Sequence, residues 1–258
     1  MEFRRRTILS ELYFISNNTK NHIPKAIICF LTLFKAEKIF LYFLVYSYLE
    51  WIDNCIDLKI LNRNEASTFL KNQWEILTDG RIPSNGFESL GSLLYKSSFS
   101  MKNKDLLSNF FQIQNLDFER KFQIRNKNFL DMRNHLLGET SLNLLLSIFK
   151  PNNFELEKTE FETYSNFYIQ IDNLTDYIKD FELGYLNIPE ESIASKEYSA
   201  INLKDEEILD YISEEKIKII QLKKSCIAFL SNHESSLIKT FLKTMINRKY
   251  KKMMATIS

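Results

Sequence analysis

The chain has 258 residues, of which only 5 are Gly and 4 are Pro, against the roughly 12% that these turn formers contribute to an average protein. That scarcity excludes a sandwich or barrel of many short strands and predicts an all-α fold, while 45% apolar and 14% aromatic residues exclude disorder and supply a large core. Basic and acidic residues, 34 and 33, nearly cancel, so no overall field points to nucleic acid as a partner.

In chain order, the start Met1 to Arg6 is basic but lacks the apolar run and cleavage site of a signal peptide, and a cytoplasmic location is expected. Cys29, Cys55 and Cys226 are too scattered for a disulfide framework or a zinc site. The segment Ala26 to Ile52 is apolar but is interrupted by Lys35, Glu37 and Lys38. Its clean part, Ile39 to Leu49, is too short to span a bilayer, which predicts a buried helix, with peripheral membrane contact as the alternative. Turn chemistry marks breaks at Thr78 to Gly86, Lys150 to Asn153, Gly184 to Lys204 and Ser231 to Ser236. Between them the pattern is helical. In Glu206 to Leu230, for example, Leu209, Ile212, Ile219, Ile220, Ile227 and Leu230 recur at helical steps on one side. The loop after Gly184 is long enough to cap a pocket. No repeat or composition shift marks a boundary, so residues 1–258 are expected to form one domain.

Charge is concentrated rather than spread. Five of the 11 Asp fall in two short segments: Asp53 and Asp57 lie four residues apart, and Asp172, Asp176 and Asp180 follow at successive steps of four. At this Asp frequency roughly 0.5 such pairs are expected in the chain, and three are present. A step of four is about 40° short of eclipsed, so each set forms an acidic stripe on one helix face. Like charges so spaced destabilise a helix and need a counter-charge once desolvated. Oxygen-only ligands, with no His or Cys in either segment, favour Mg²⁺ completed by phosphate oxygens, and hence a diphosphate substrate. Solvated acidic faces are the competing reading. Toward the amino terminus both faces change from acid to aromatic. From Asp53 the face runs through Leu49 and Glu50 to Tyr46, and from Asp172 through Tyr168 to Tyr164. Such a gradient suits a charged head above a hydrocarbon tail, with ring faces able to stabilise a cation, although plain core packing produces the same stripe.

These residues resemble a known family. Glu50-Trp51-Ile52-Asp53-Asn54-Cys55-Ile56-Asp57 is similar to the first aspartate motif of the bacterial large-terpene synthases, the tetraprenyl-beta-curcumene synthase family. Asp172 to Asn187 is similar to that family's second motif, and Leu136 to Leu142, with Gly138, to the glycine-bearing helix between them. More remotely, the second motif with Ile188-Pro189-Glu190 resembles squalene and phytoene synthases, which share the class I isoprenoid-synthase helical fold. The resemblance implies that Asp53, Asp57, Asp172 and Asp176 are catalytic. With Asp180 they would hold Mg²⁺, three ions with the diphosphate, and ionise an all-trans polyprenyl diphosphate to a linear or cyclised terpene. Tyr46, Leu49, Tyr164 and Tyr168 would line the cavity.

Among cations, Arg120, Lys121, Arg125 and Arg133 read as one helical stretch before Gly138. Surface positions are expected for them, with Arg125 a candidate contact to the diphosphate. Arg248 to Lys252 reads as a solvated tail or as a cap in which Lys249 and Tyr250 touch the diphosphate or an anionic membrane. A homodimer is a further expectation. His22, His135 and His233 have no metal-ligand spacing. Two other functions stay open: a head-to-head prenyltransferase and a catalytically silent helical binding protein.

Overall fold

Apolar side chains at three- and four-residue steps decide which face each segment buries. The computed structural model describes residues 37–58, 62–149, 156–195, 197–233 and 237–256. These form ten α-helices: α1 (Glu37–Leu58), α2 (Arg63–Thr78), α3 (Gly86–Lys96), α4 (Phe99–Lys102), α5 (Lys104–Arg120), α6 (Lys127–Phe149), α7 (Lys158–Thr175), α8 (Tyr177–Glu182), α9 (Glu206–Asn232) and α10 (Leu237–Thr256), with two 3₁₀ turns between α8 and α9. Among the described residues there is no strand, only an isolated bridge between Gln123 and Tyr185. The all-α expectation holds. The chain divides into two compact units, residues 1–111 and 112–258, with the boundary inside α5.

In the first unit, α1 buries Leu44, Val45, Tyr48, Ile52, Cys55 and Ile56 along one side. Tyr48 is fully buried, and its hydroxyl donates to Gln73 Oε1 at 2.9 Å. Gln73 in turn donates to Glu88 Oε1 at 2.9 Å, so one polar chain links α1, α2 and α3. Trp51 stacks on Phe87 at 5.3 Å and meets Phe69 edge-on. Helix α3 starts at Asn85, whose side chain accepts from the Glu88 amide, while Glu88 takes the Ser84 amide and hydroxyl at 2.7 Å each. These bonds satisfy amides that a helix start leaves open.

In the second unit α7 is the central element. Gly138 of α6 faces it so closely that a Cβ there would lie 2.2 Å from Ser165 Oγ and 3.1 Å from the Ser165 carbonyl. Helix α9 runs antiparallel to α7, since Tyr164 donates to the Cys226 carbonyl at 3.0 Å while Glu160, one turn earlier, meets His233, two turns later. Reversing again after α9, α10 runs parallel to α7.

Three expected breaks coincide with helix ends, and Lys150 to Asn153 lies outside the described residues, as do residues 1–36 with Cys29 and His22. Other breaks carry no Gly or Pro. The stretch from Arg120 to Arg133 is not one helix: Lys121 to Asn126 form a turn between α5 and α6. The buried side of α9 is set by Ile208, Ile212, Ile219, Cys226 and Leu230, and Leu209 is exposed instead, because the face turns one residue back from the periodicity counted in sequence.

Gly91 tests the packing of the first unit. A Cβ at this position would lie 2.5 Å from the Tyr48 ring, which is buried and hydrogen-bonded and has nowhere to move. Gly91→Ala is expected to cost about 1–3 kcal/mol despite its better helix propensity, read as a lower urea midpoint at unchanged slope.

Candidate functional site

The acidic residues expected to form the site's centre lie on α7, on α8 and at the joint between them. Backbone bonds continue across the joint, Asp176 to the Asp172 carbonyl at 2.9 Å and Asp180 to the Asp176 carbonyl at 2.8 Å, yet the helix breaks at Asp176, which ends α7 and starts α8. The single uninterrupted stripe read from the spacing is therefore jointed. Beside the joint, Thr175 Oγ1 donates to the Ile171 carbonyl at 2.6 Å, a back-bond that commonly bends helices.

Each of the three carboxylates has a partner from elsewhere along the chain. Lys249 of α10 donates to Asp172 Oδ1, and Lys252, one turn on, donates to Asp176 Oδ1 at 2.7 Å. The Lys249 ammonium also sits 3.9 Å from the centre of the Tyr168 ring, so a carboxylate and an aromatic face grip it together. Asp172 keeps 39% of its side chain exposed. Burial by its surroundings nonetheless raises its pKa, with Lys249 acting against that rise and Asp176 adding to it. Burial raises the Tyr168 hydroxyl too, reinforced by Asp172. The cluster Arg248 to Lys252 is helical, with Arg248, Lys251 and Lys252 exposed and Lys249 and Tyr250 half-buried. It is part of α10, and two of its lysines provide the counter-charge that the stripe requires.

Asp180 takes a different partner. Asn187 Nδ2 donates to Asp180 Oδ2 at 2.8 Å, and Asn187 Oδ1 accepts from Arg120 Nη1 at 2.8 Å. Behind it lies a buried ionic triad: Arg120 Nε lies 2.6 Å from Asp117 Oδ1, and Arg133 grips both Asp117 oxygens at 3.0 and 2.7 Å. The three residues are 4–8% exposed, so the surface positions expected for Arg120 and Arg133 are incorrect. Spacing did not reveal this group, because Asp117 and Arg133 lie on different helices; only Asp117 and Arg120, three apart, gave a local signal. Burial would raise the Asp117 pKa, but the guanidinium of Arg133, then that of Arg120, holds it below the usual carboxylate range. Burial pushes Asp180 up to about 6, with Arg120 opposing and Asp176 assisting.

Other expected site residues fall as follows. Asp53 and Asp57 lie half-buried on α1 in the first unit, on the same flank as Glu50 and Tyr46, and Tyr46 stacks with Tyr42 at 6.0 Å. Leu49 belongs to the core beneath them. Tyr164 is buried, with its hydroxyl committed to α9. Arg125 donates to the Glu119 carbonyl at 2.6 Å and covers the Phe129 ring. Tyr250 lies under the Lys223 ammonium at 3.6 Å. His135 and His233 pair with Glu139 and Glu160.

Among the described residues, no three His, Cys, Asp or Glu side chains converge into a metal cage. Mg²⁺ does not need one, because it takes one or two carboxylates and fills its shell with water and phosphate oxygens. Asp172 and Asp176 fit that demand. They are carboxylates one turn apart that already hold cationic nitrogen.

No family model and no curated protein matches the chain. Among solved structures, squalene synthase HpnC from Alicyclobacillus acidocaldarius matches with a TM-score of 0.65 at 13% identity, covering 97% of this chain and 93% of that one. The chain shares its all-α fold with that synthase. Within this fold no helix of the described residues is long and apolar enough to cross a membrane.

Two stability measurements probe the site. Asp117→Asn strands two buried guanidinium groups and is expected to cost about 3–5 kcal/mol. The lowered Asp117 pKa contributes stability that is present above the ordinary value near pH 4 and lost as pH falls through the lowered one, so the variant's acid unfolding limb should be shallower. Asp180 has the opposite sign. Its raised pKa gives stability that is full below about pH 4 and lost as pH rises through about 6. Asp180→Asn should therefore melt higher than the parent at pH 7.5 and equally at pH 4.

Proposed function

We propose that the protein is a Mg²⁺-dependent class I isoprenoid synthase that ionises an all-trans polyprenyl diphosphate and releases a linear or cyclised terpene. The observation that carries this reading is the Asp172–Asp176 pair, one turn apart on an isoprenoid-synthase fold and already gripping cations. Asp172 and Asp176 would hold the metal, and Asp180, steadied by Asn187, would assist. When bound, Mg²⁺ supplies Lewis-acid charge to the departing diphosphate. Tyr168 presents a ring face that already stabilises an ammonium and would do the same for the allylic cation. On the sequence reading, which resembles the tetraprenyl-beta-curcumene synthase family, Asp53 and Asp57 would be further metal-holding carboxylates.

A second reading, head-to-head condensation of two prenyl diphosphates, is favoured by one observation. The match to HpnC, a squalene synthase, spans nearly the whole of both chains. Carbon number separates the two. Purified protein is incubated with Mg²⁺ and polyprenyl diphosphates of about three to seven isoprene units, and extracts are resolved by gas chromatography. A terpene with the substrate's carbon number supports the first reading, and one with twice that number the second. No product from any substrate overturns both. Asp172→Asn and, separately, Asp53→Asn should each lower turnover by about a hundredfold or more while leaving the helical circular dichroism unchanged.

A further inference from the structure

The carboxylates proposed to hold the metal are already paired, and by the chain itself. Helices α7 and α10 run parallel, so Lys249 and Lys252, three apart, stand opposite Asp172 and Asp176, four apart. The two grips are unequal. The Lys249 side chain is 21% exposed and is held by both Asp172 and the Tyr168 ring, whereas Lys252 is 60% exposed and its pair with Asp176 is screened by solvent. An ammonium and a divalent cation cannot share one carboxylate oxygen at contact distance, because like charges a few ångströms apart repel strongly where solvent is scarce.

We infer that Lys249 and Lys252 are internal counter-ions that compete with the metal for Asp172 and Asp176, so that metal uptake requires α10 to release both contacts. This rests on the functional reading above and adds to it an order of events. Displaced ammonium groups need a new anion, and a diphosphate arriving with the metal provides one. Metal and diphosphate therefore strengthen each other's binding, by linkage and to the same extent in both directions. Lys249, the less exposed partner, carries most of the competition.

The experiment measures Mg²⁺ affinity of the full chain by titration calorimetry without any diphosphate, comparing the parent with Lys249→Met, Lys252→Met and the double variant. Methionine keeps the apolar stem and removes the charge. Lys251→Met, at an exposed position between them, controls for the loss of one positive charge from α10. The expected result is Mg²⁺ binding about tenfold tighter or more in Lys249→Met and the double variant, with a small gain in Lys252→Met and none in Lys251→Met. In the parent, amide exchange around residues 249–252 should accelerate with Mg²⁺ and slow again when inorganic diphosphate is added. Mg²⁺ bound by every variant with the parent's affinity, or more weakly, overturns the inference and leaves the functional reading standing. Tighter binding in the variants together with no turnover of any prenyl diphosphate by the parent supports the inference and overturns the functional reading. Mg²⁺ bound by neither parent nor variants at millimolar concentration overturns both. Should the double variant lose its circular dichroism signal, Lys249→Met alone decides the outcome.

Discussion

A carboxylate withdrawn from water must find positive charge or hydrogen-bond donors, and much of the second unit is organised around meeting that demand. Asp172 and Asp176 draw in α10, Asp180 draws in the loop that carries Asn187, and Asp117 draws Arg120 and Arg133 together. Most of these partners come from a different element of the chain, Arg120 being the exception. Packing also holds these helices, and α6 approaches α7 closely where Gly138 meets Ser165. The ionic contacts add register. They fix which turn of α10 faces which turn of α7, as side-chain packing with 3.6-residue periodicity does not by itself.

The two sets of acids are held to different degrees. Asp117 has both oxygens committed to guanidinium groups in a nearly closed site, which suits a permanent structural joint. Asp172 and Asp176 are more open, and their partners are flexible lysines rather than forked guanidinium groups. Charges held this way can change partners. Asp180 lies between the two extremes: it is anchored through an amide to the rigid triad yet sits one turn from the exchangeable pair. A raised carboxyl pKa at such a position is a cost in stability of the kind that functional sites retain.

Much of the fold was legible in sequence because helix formation is decided locally. The lack of Gly and Pro, the turn chemistry at Thr78 to Gly86 and the apolar run from Ile39 to Leu49 all led to elements that the structure contains. Breaks without Gly or Pro, at Lys121 to Asn126 and at Asp176, were not legible, since no turn-forming Gly or Pro marks them in the sequence. Among site residues, spacing marked out Asp172, Asp176 and Asp180, and the requirement for counter-charge followed from it. The identity of that counter-charge did not, because a pairing across 76 or 77 residues leaves no local periodic trace.

By itself, then, the sequence determined an all-helical chain with its acids gathered at one-turn steps beside aromatic residues, since both helix propensity and spacing are properties of neighbouring residues. Only the tertiary structure decided that lysines of α10 neutralise Asp172 and Asp176, that Arg120 and Arg133 are buried around Asp117, and that the acidic stripe bends at Asp176. Those outcomes depend on which distant helices are brought within a few ångströms, where electrostatic energy is large enough to select partners.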